Sequence, residues 1–200
     1  MPDLKWVVGI DPGFSGAVGR MDMNGDHLHV TPLPISGKGK GREFSLPGIC
    51  GQMYALSRVP QLLVGLEWPT TRPGEGAERS ERFGRGKGYL HMGLECYKVP
   101  YELIAPNLWK GRLHLPGKAA PESGRKCREY FLRYYPNQAH LITGPRGGHL
   151  DGPCDALLIA HWLRIRTVEG MRSVITKFGP GSPEAMVMAL TGGRKSKRKR

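Results

Sequence analysis

The sequence predicts an α/β domain, a mixed sheet flanked by helices, from three observations. Residues 5–10 (KWVVGI) and 61–68 (QLLVGLEW) are short apolar runs of the kind that form strands buried on both faces. Segments with helical spacing alternate with these strand-like runs, which is the pattern of helices packed on a sheet. Residues 151–167 also read as an amphipathic helix, with Ala156, Leu157, Ile159, Ala160 and Leu163 on one apolar face.

Taken in order, residues 5–10 are the first central strand. Residues 16–23 and 27–33 are the next two, joined by the turn signal Asn24-Gly25-Asp26. Residues 37–42 (GKGKGR) form a flexible basic loop, and 46–59 carry Ile49, Met53 and Leu56 at helical spacing. After the strand at 61–68, residues 69–87 are glycine-rich and charged and read as a long loop. A helix at 89–97, a strand at 101–105 and a basic helix at 122–135, ended by Pro136, lead to the helix at 151–167. Beyond Gly170 the pattern weakens to a short helix at 183–190 and a disordered tail. The organisation is one domain over residues 1–170 and a C-terminal extension over 171–200, with no internal repeat.

Of the 200 residues 39% are hydrophobic, enough for one domain with its own core, and no apolar run approaches the roughly 18–20 residues of a membrane span. No signal peptide is expected, because Asp11 and Pro12 break the apolar start, and no organelle presequence, because strand-like sequence begins at once. The net charge is +13; the six basic residues between Arg194 and Arg200 account for part of it, and the body keeps +7. A basic body with a basic tail points to a polyanionic partner, of which nucleic acid is the commonest. Cys50, Cys96, Cys127 and Cys154 form no CxxC pair, so buried reduced thiols are expected and a zinc site is not.

The chemistry lies in the acids. Asp11 ends the first apolar run and precedes Pro12-Gly13. A carboxylate there is costly unless bound; it either ties down the turn or holds a ligand. Glu67 repeats this at the end of the second run, and two core strands each delivering a carboxylate are hard to explain by packing. Asp151 and Asp155, four apart, share one face of a helix start. Capping and the helix dipole account for Asp151. They do not account for Asp155, beside the apolar face, where like charges four apart repel. Asp11, Glu67, Asp151 and Asp155 are thus the candidate catalytic and metal-ligating residues. Four carboxylates suit Mg²⁺, and two such ions can clamp the attacking and leaving oxygens of an in-line displacement at phosphorus. His149 either orients water, acts as a ligand, or is a loop histidine, the last reading being favoured.

Together these motifs resemble RuvC-type Holliday-junction resolvases. The similarity rests on Asp11-Pro12-Gly13 after a strand, Leu66-Glu67 at a strand end, and the acidic helix start running into Ala156-Leu157-Leu158-Ile159-Ala160. The four-residue step from Asp151 to Asp155, with residues 106–110 (PNLWK) and 122–126 (ESGRK), is more similar to the monokaryotic-chloroplast resolvase branch. The resemblance covers residues 5–167. It implies a ribonuclease H-like fold, a homodimer, two Mg²⁺ ions per active site with Mn²⁺ as a substitute, and paired nicks across a four-way junction of branched DNA. The missing presequence departs from the organelle branch and favours a bacterial or phage setting, cytoplasmic and nucleoid-associated. The basic tail has no counterpart in the family pattern.

The segment after Glu67 holds Arg79, Arg82, Arg85 and Lys87, with Phe83 among them, and these are candidate DNA contacts. Guanidinium groups bind phosphates and an aromatic ring stacks on an exposed base; a solvated loop is the competing reading. The resemblance adds Lys110, Lys118 and Arg125 as basic positions for the DNA backbone or for transition-state charge, while Trp109 and Tyr130 read as core. The helix at 89–97, with Leu90, Met92 and Leu94, is the candidate dimer element. Two other classes stay open. Residues 11–15 also resemble the phosphate loop of actin-like phosphotransferases, which need two such domains and an adenosine motif. A non-catalytic binding module is the other, against which the four acids speak.

Overall fold

In the computed structural model, which describes residues 4–37, 39–69, 76–117 and 122–178, the chain opens on an antiparallel meander. Its strands are β1 (Trp6–Ile10), β2 (Ala17–Asp22) and β3 (Leu28–Pro32). The expected turn at 24–26 joins the last two. Asp22 Oδ1 accepts the amides of Gly25 (2.9 Å), Asp26 (2.8 Å) and His27 (3.0 Å), and Gly25 takes φ +86°, where a side chain is disfavoured. β4 (Ile35–Ser36) and β5 (Glu43–Phe44) then pair on either side of the basic loop. α1 (Leu46–Ser57) starts at Ser45, whose hydroxyl accepts the Gly48 amide, and Pro47 stands in its first turn. The rest comprises β6 (Leu62–Glu67), α2 (Ala77–Cys96), β7 (Tyr101–Ile104), α3 (Pro106–Arg112), α4 (Ser123–Tyr134), a 3₁₀ segment Pro136–Ile142, and α5 (Asp151–Phe178).

The main sheet has the order β3-β2-β1-β6-β7, with β6 parallel to both β1 and β7. This is the mixed sheet flanked by helices that the sequence predicts. The central strands are apolar throughout because both their faces are covered. Val7 and Leu63 pack with the apolar face of α5, while Val8, Ile10, Val64 and Leu66 pack with Ile49 and Met53 of α1 and Leu90 and Leu94 of α2. Among the described residues no helix is long and apolar enough to cross a membrane.

The segment expected as one loop over 69–87 is corrected in its second half: residues 77–87 are the first half of α2. Gly84, Gly86 and Gly88 lower helix propensity there, and no apolar stripe marks it. Tertiary contact supplies what propensity does not. Lys87 Nζ donates to Pro69 O at 2.9 Å and lies 4.8 Å from the Trp68 ring centre and 5.3 Å from that of Phe83. α5 also runs on through Gly170 to Phe178, past the expected end at 167. The short helix expected at 183–190 and the tail lie outside the described residues. All four cysteines are free thiols; Cys127 and Cys154 are buried as expected, but Cys96 is exposed and Cys50 half-buried.

α5 lies across β1 and β2 at unusually short range. A Cβ on Gly9, in the middle of β1, would fall 2.1 Å from Ala156 O and 2.7 Å from Ala160 N, so only glycine admits the helix backbone there. At the helix start a Cβ on Gly152 would fall 1.8 Å from Ser15 O, in the turn that follows Asp11. Both obstacles are backbone, which cannot swing aside. Gly9→Ala is therefore expected to destabilise the protein by about 1–3 kcal/mol, as overpacking does, and to lower Tm by roughly 3–10 °C for a chain of this size. A thermal melt of Gly9→Ala within one degree of wild type would contradict this contact.

Candidate active site

β1 and β6 place two carboxylates side by side. Their last registered pair is Ile10 with Leu66, so the next step along each parallel strand sets Asp11 beside Glu67, about 4.8 Å apart at the backbone. The Asp11 amide still donates to Ala17 O at 3.1 Å, so the ladder continues to that point. Alternation along the strands fixes the face. Val7, Gly9 and Asp11 on one strand, and Leu63, Gly65 and Glu67 on the other, point toward α5. On α5, Asp155 falls between the two close contacts just described, at Gly152 and at Ala156. It therefore stands over the C-terminal end of β1. Asp11, Glu67 and Asp155 are 4%, 0% and 5% exposed, a concentration of acid that ordinary packing avoids.

Two side chains hold this cluster in place. Trp109 of α3 is fully buried, and its Nε1–H donates to Glu67 Oε1 at 2.9 Å. The next residue, Lys110, is also buried, and its Nζ stands 3.7 Å from Asp155 Oδ2. That ammonium is cradled by α4: it donates to Ser123 Oγ at 3.2 Å and to Cys127 Sγ at 3.6 Å, one helical turn apart. Burial and then the Asp155 charge push the Cys127 thiol up to about 12, against the opposing effect of Lys110, so it stays protonated. Burial raises Cys154 likewise. Burial thus favours the neutral thiol at both positions.

The structure separates the fourth acid from these three. Asp151 is the first residue of α5 and its side chain is 72% exposed; Oδ1 lies 3.3 Å from His149 Nε2. Burial holds His149 below its ordinary value, partly offset by the Asp151 carboxylate. Of the basic candidates, Arg85 and Arg125 are exposed, each beside glutamates: Arg85 near Glu43 and Glu81, Arg125 bonded to Glu129 at 2.6 Å. Arg82 and Phe83 are half-buried on α2. Lys87 and Lys110 point inward, Lys87 as a tie between α2 and the end of β6. The Arg79 side chain and Lys118 lie outside the described residues. Trp109 was expected as core only, Cys127 only as a buried thiol, and Ser123 only as part of the 122–126 motif. The nearest sequence signal for all three is that an indole N–H or a lysine inside a core demands partners.

A hard divalent ion fits the chemistry of this donor set. The ligand atoms on offer are all carboxylate oxygens, and they come from three rigid elements. Among the described residues no three His, Cys, Asp or Glu side chains are already gathered as a metal cage, so an ion would draw these oxygens in and complete its shell with water.

Neither a protein-family model nor a curated protein matches this sequence. Solved structures do. The sheet order and its covering helices define a ribonuclease H-like fold, and the fold is RuvC-like. Thermus thermophilus RuvC in complex with Holliday junction substrate superposes with a TM-score of 0.52 at 18% identity, over 83% of this chain and 96% of that one. A second Thermus thermophilus RuvC structure gives 0.45 at 22% identity, over 82% and 96%.

The Lys110–Asp155 pair gives a test of the geometry. Removing one partner of a buried pair leaves the other charge uncompensated, at a cost of about 3–5 kcal/mol. Lys110→Met should lose roughly that stability in urea unfolding, and adding Asp155→Asn should restore part of it. Purely additive losses in this double-mutant cycle would mean that the two groups do not interact.

Proposed function

We propose that this protein is a structure-selective endonuclease that resolves four-way DNA junctions by paired, divalent-metal-dependent nicks, acting as a homodimer. The observation that carries this reading is the set of buried carboxylates, Asp11, Glu67 and Asp155, delivered by two adjacent strands and one helix to a single end of the sheet. The RuvC-like fold supports it, since one structure with that fold holds a Holliday junction substrate. The +13 charge supplies attraction to the DNA backbone.

Asp11, Glu67 and Asp155 would hold Mg²⁺ or Mn²⁺, with Asp151 at the mouth of the site as the outer ligand. When bound, such ions polarise the phosphate and lower the pKa of attacking water. The chain's own residues do the rest. Trp109 holds Glu67 in place through its indole N–H, which donates to Oε1. Lys110 offsets the charge of Asp155 from behind, which limits the repulsion among the acids. Arg82, Arg85 and Arg125 would contact phosphates of the junction around this centre. A two-fold dimer matches the symmetry of the junction and puts one such centre on each of two strands. On α2, Leu90 and Leu94 are buried in the protomer and Met92 is 47% exposed, which leaves Met92 for the partner. The four-residue step from Asp151 to Asp155 favours the monokaryotic-chloroplast branch of the family.

The test uses labelled four-way junctions and matched linear duplexes. Wild type with Mg²⁺ should cut the junction in preference to the duplex. Asp11→Asn should lose more than the roughly 10–100-fold that removing a mere neighbour of a metal ligand costs, while still binding the junction. Junction cutting by Asp11→Asn at the wild-type rate, or equal cutting of both DNAs by wild type, would overturn the reading.

A further inference from the structure

Phe14 stands three residues beyond Asp11, within about 11 Å of chain. It lies in a tight turn closed by the Gly16 amide donating to Gly13 O at 2.8 Å. Its ring stacks on Phe44 of β5, with centroids 4.6 Å apart and planes 16° from parallel. Phe44 is buried, and α2 packs so closely on it that a Cβ on Gly86 would fall 2.1 Å from the ring. Phe44 is thus a fixed platform. Phe14 is only half-buried, so part of its side chain stays open to solvent. Around this pair stand three guanidinium groups. Arg42, at the end of the basic loop, lies 5.9 Å from the Phe14 ring centre, while Arg82 and Arg85 of α2 line the same cleft with Glu43 and Tyr89. The cleft that these side chains line has room for about 20 Å³, roughly one water.

A half-exposed aromatic ring on a rigid support, ringed by arginines and one short turn from the acid cluster, is built to receive a flat, apolar group that carries phosphate. We propose that Phe14, backed by Phe44, is a stacking platform for one unpaired nucleobase of the DNA strand at the acid site. Arg42 and the arginines of α2 hold the phosphates on either side of that base. The inference rests on the proposed function, and it gives a role to the β4–β5 hairpin that neither the acids nor the fold requires. Stacking accepts any base, because every base has a π-face. The platform therefore positions an opened strand and does not read sequence. A four-way junction supplies such a base where strands exchange, whereas an intact duplex keeps its bases paired.

The test is a cycle between protein and DNA, read by binding without divalent metal so that it does not depend on cleavage. Abasic sites are placed one at a time at each nucleotide within three of the crossover, and junction affinity is measured by fluorescence anisotropy. At one position wild type should lose roughly five-fold or more, the effect of losing one base–aromatic stack. Phe14→Leu, which keeps an apolar contact with Phe44 but cannot stack, should bind the intact junction more weakly by a similar factor and lose nothing further at that position. Phe14→Trp should restore the sensitivity. Arg42 is exposed, so Arg42→Gln bears on the proposal even if Phe14→Leu fails to fold; it should weaken binding whether or not the base is present. Equal responses of wild type and Phe14→Leu at every position, with junctions still preferred over duplex, would overturn the platform alone. No preference of wild type for junction over duplex would overturn the functional reading and the platform with it.

Discussion

The site depends on how closely α5 lies on the sheet. At Gly9 the helix backbone occupies the volume that any side chain would fill, and at Gly152 it touches the turn after Asp11. Those two contacts fix both the height and the phase of the helix above β1. Asp155 lies between them, so its position over Asp11 follows from backbone packing and not from a flexible side chain. A helix held farther out, at the usual spacing of larger side chains, would carry Asp155 away from the strand ends. The concentrated negative charge is offset in part by an indole N–H and an ammonium group that the same core encloses and directs at it.

Much of this was legible in the sequence. The two apolar runs with an acid at each end announce central strands that deliver Asp11 and Glu67 to one edge, and parallel registration makes them neighbours. The α5 periodicity gives its buried face, and Asp155 next to that face is conspicuous. The part of α2 before Tyr89 was not legible, because three glycines hide a helix that tertiary contacts stabilise. Nor was the β4–β5 pair, whose strands of two residues are too short to show alternation. Sequence also could not divide the acids into three buried and one exposed. The spacing of Asp151 and Asp155 puts both on one helix face, but only the docking of that helix decides how far inward its first residue reaches.

Lysines were the least legible residues. Composition reads every one as a potential phosphate contact, yet Lys87 and Lys110 are both turned inward. Lys87 spans from α2 to Pro69 O and lies beside two aromatic rings, so its charge fastens the segment that follows Glu67. Lys110 sits behind Asp155 with Ser123 and Cys127 as its cradle. Both use their long apolar stems to cross the core and deliver a cation to one point. The exposed arginines and the inward lysines thus divide the basic chemistry, the first facing solvent, the second holding the framework around the acids.

The proposed divalent-ion centre joins Asp11, Glu67 and Asp155, with Asp151 at its margin. Titration of the protein with Mn²⁺, followed by electron paramagnetic resonance of the free ion, tests it without reference to any DNA substrate. The account predicts saturable binding that Asp11→Asn, Glu67→Gln and Asp155→Asn each weaken strongly, and that Asp151→Asn weakens less. Unchanged Mn²⁺ binding in the three buried-acid variants, or a loss confined to Asp151→Asn, would contradict it.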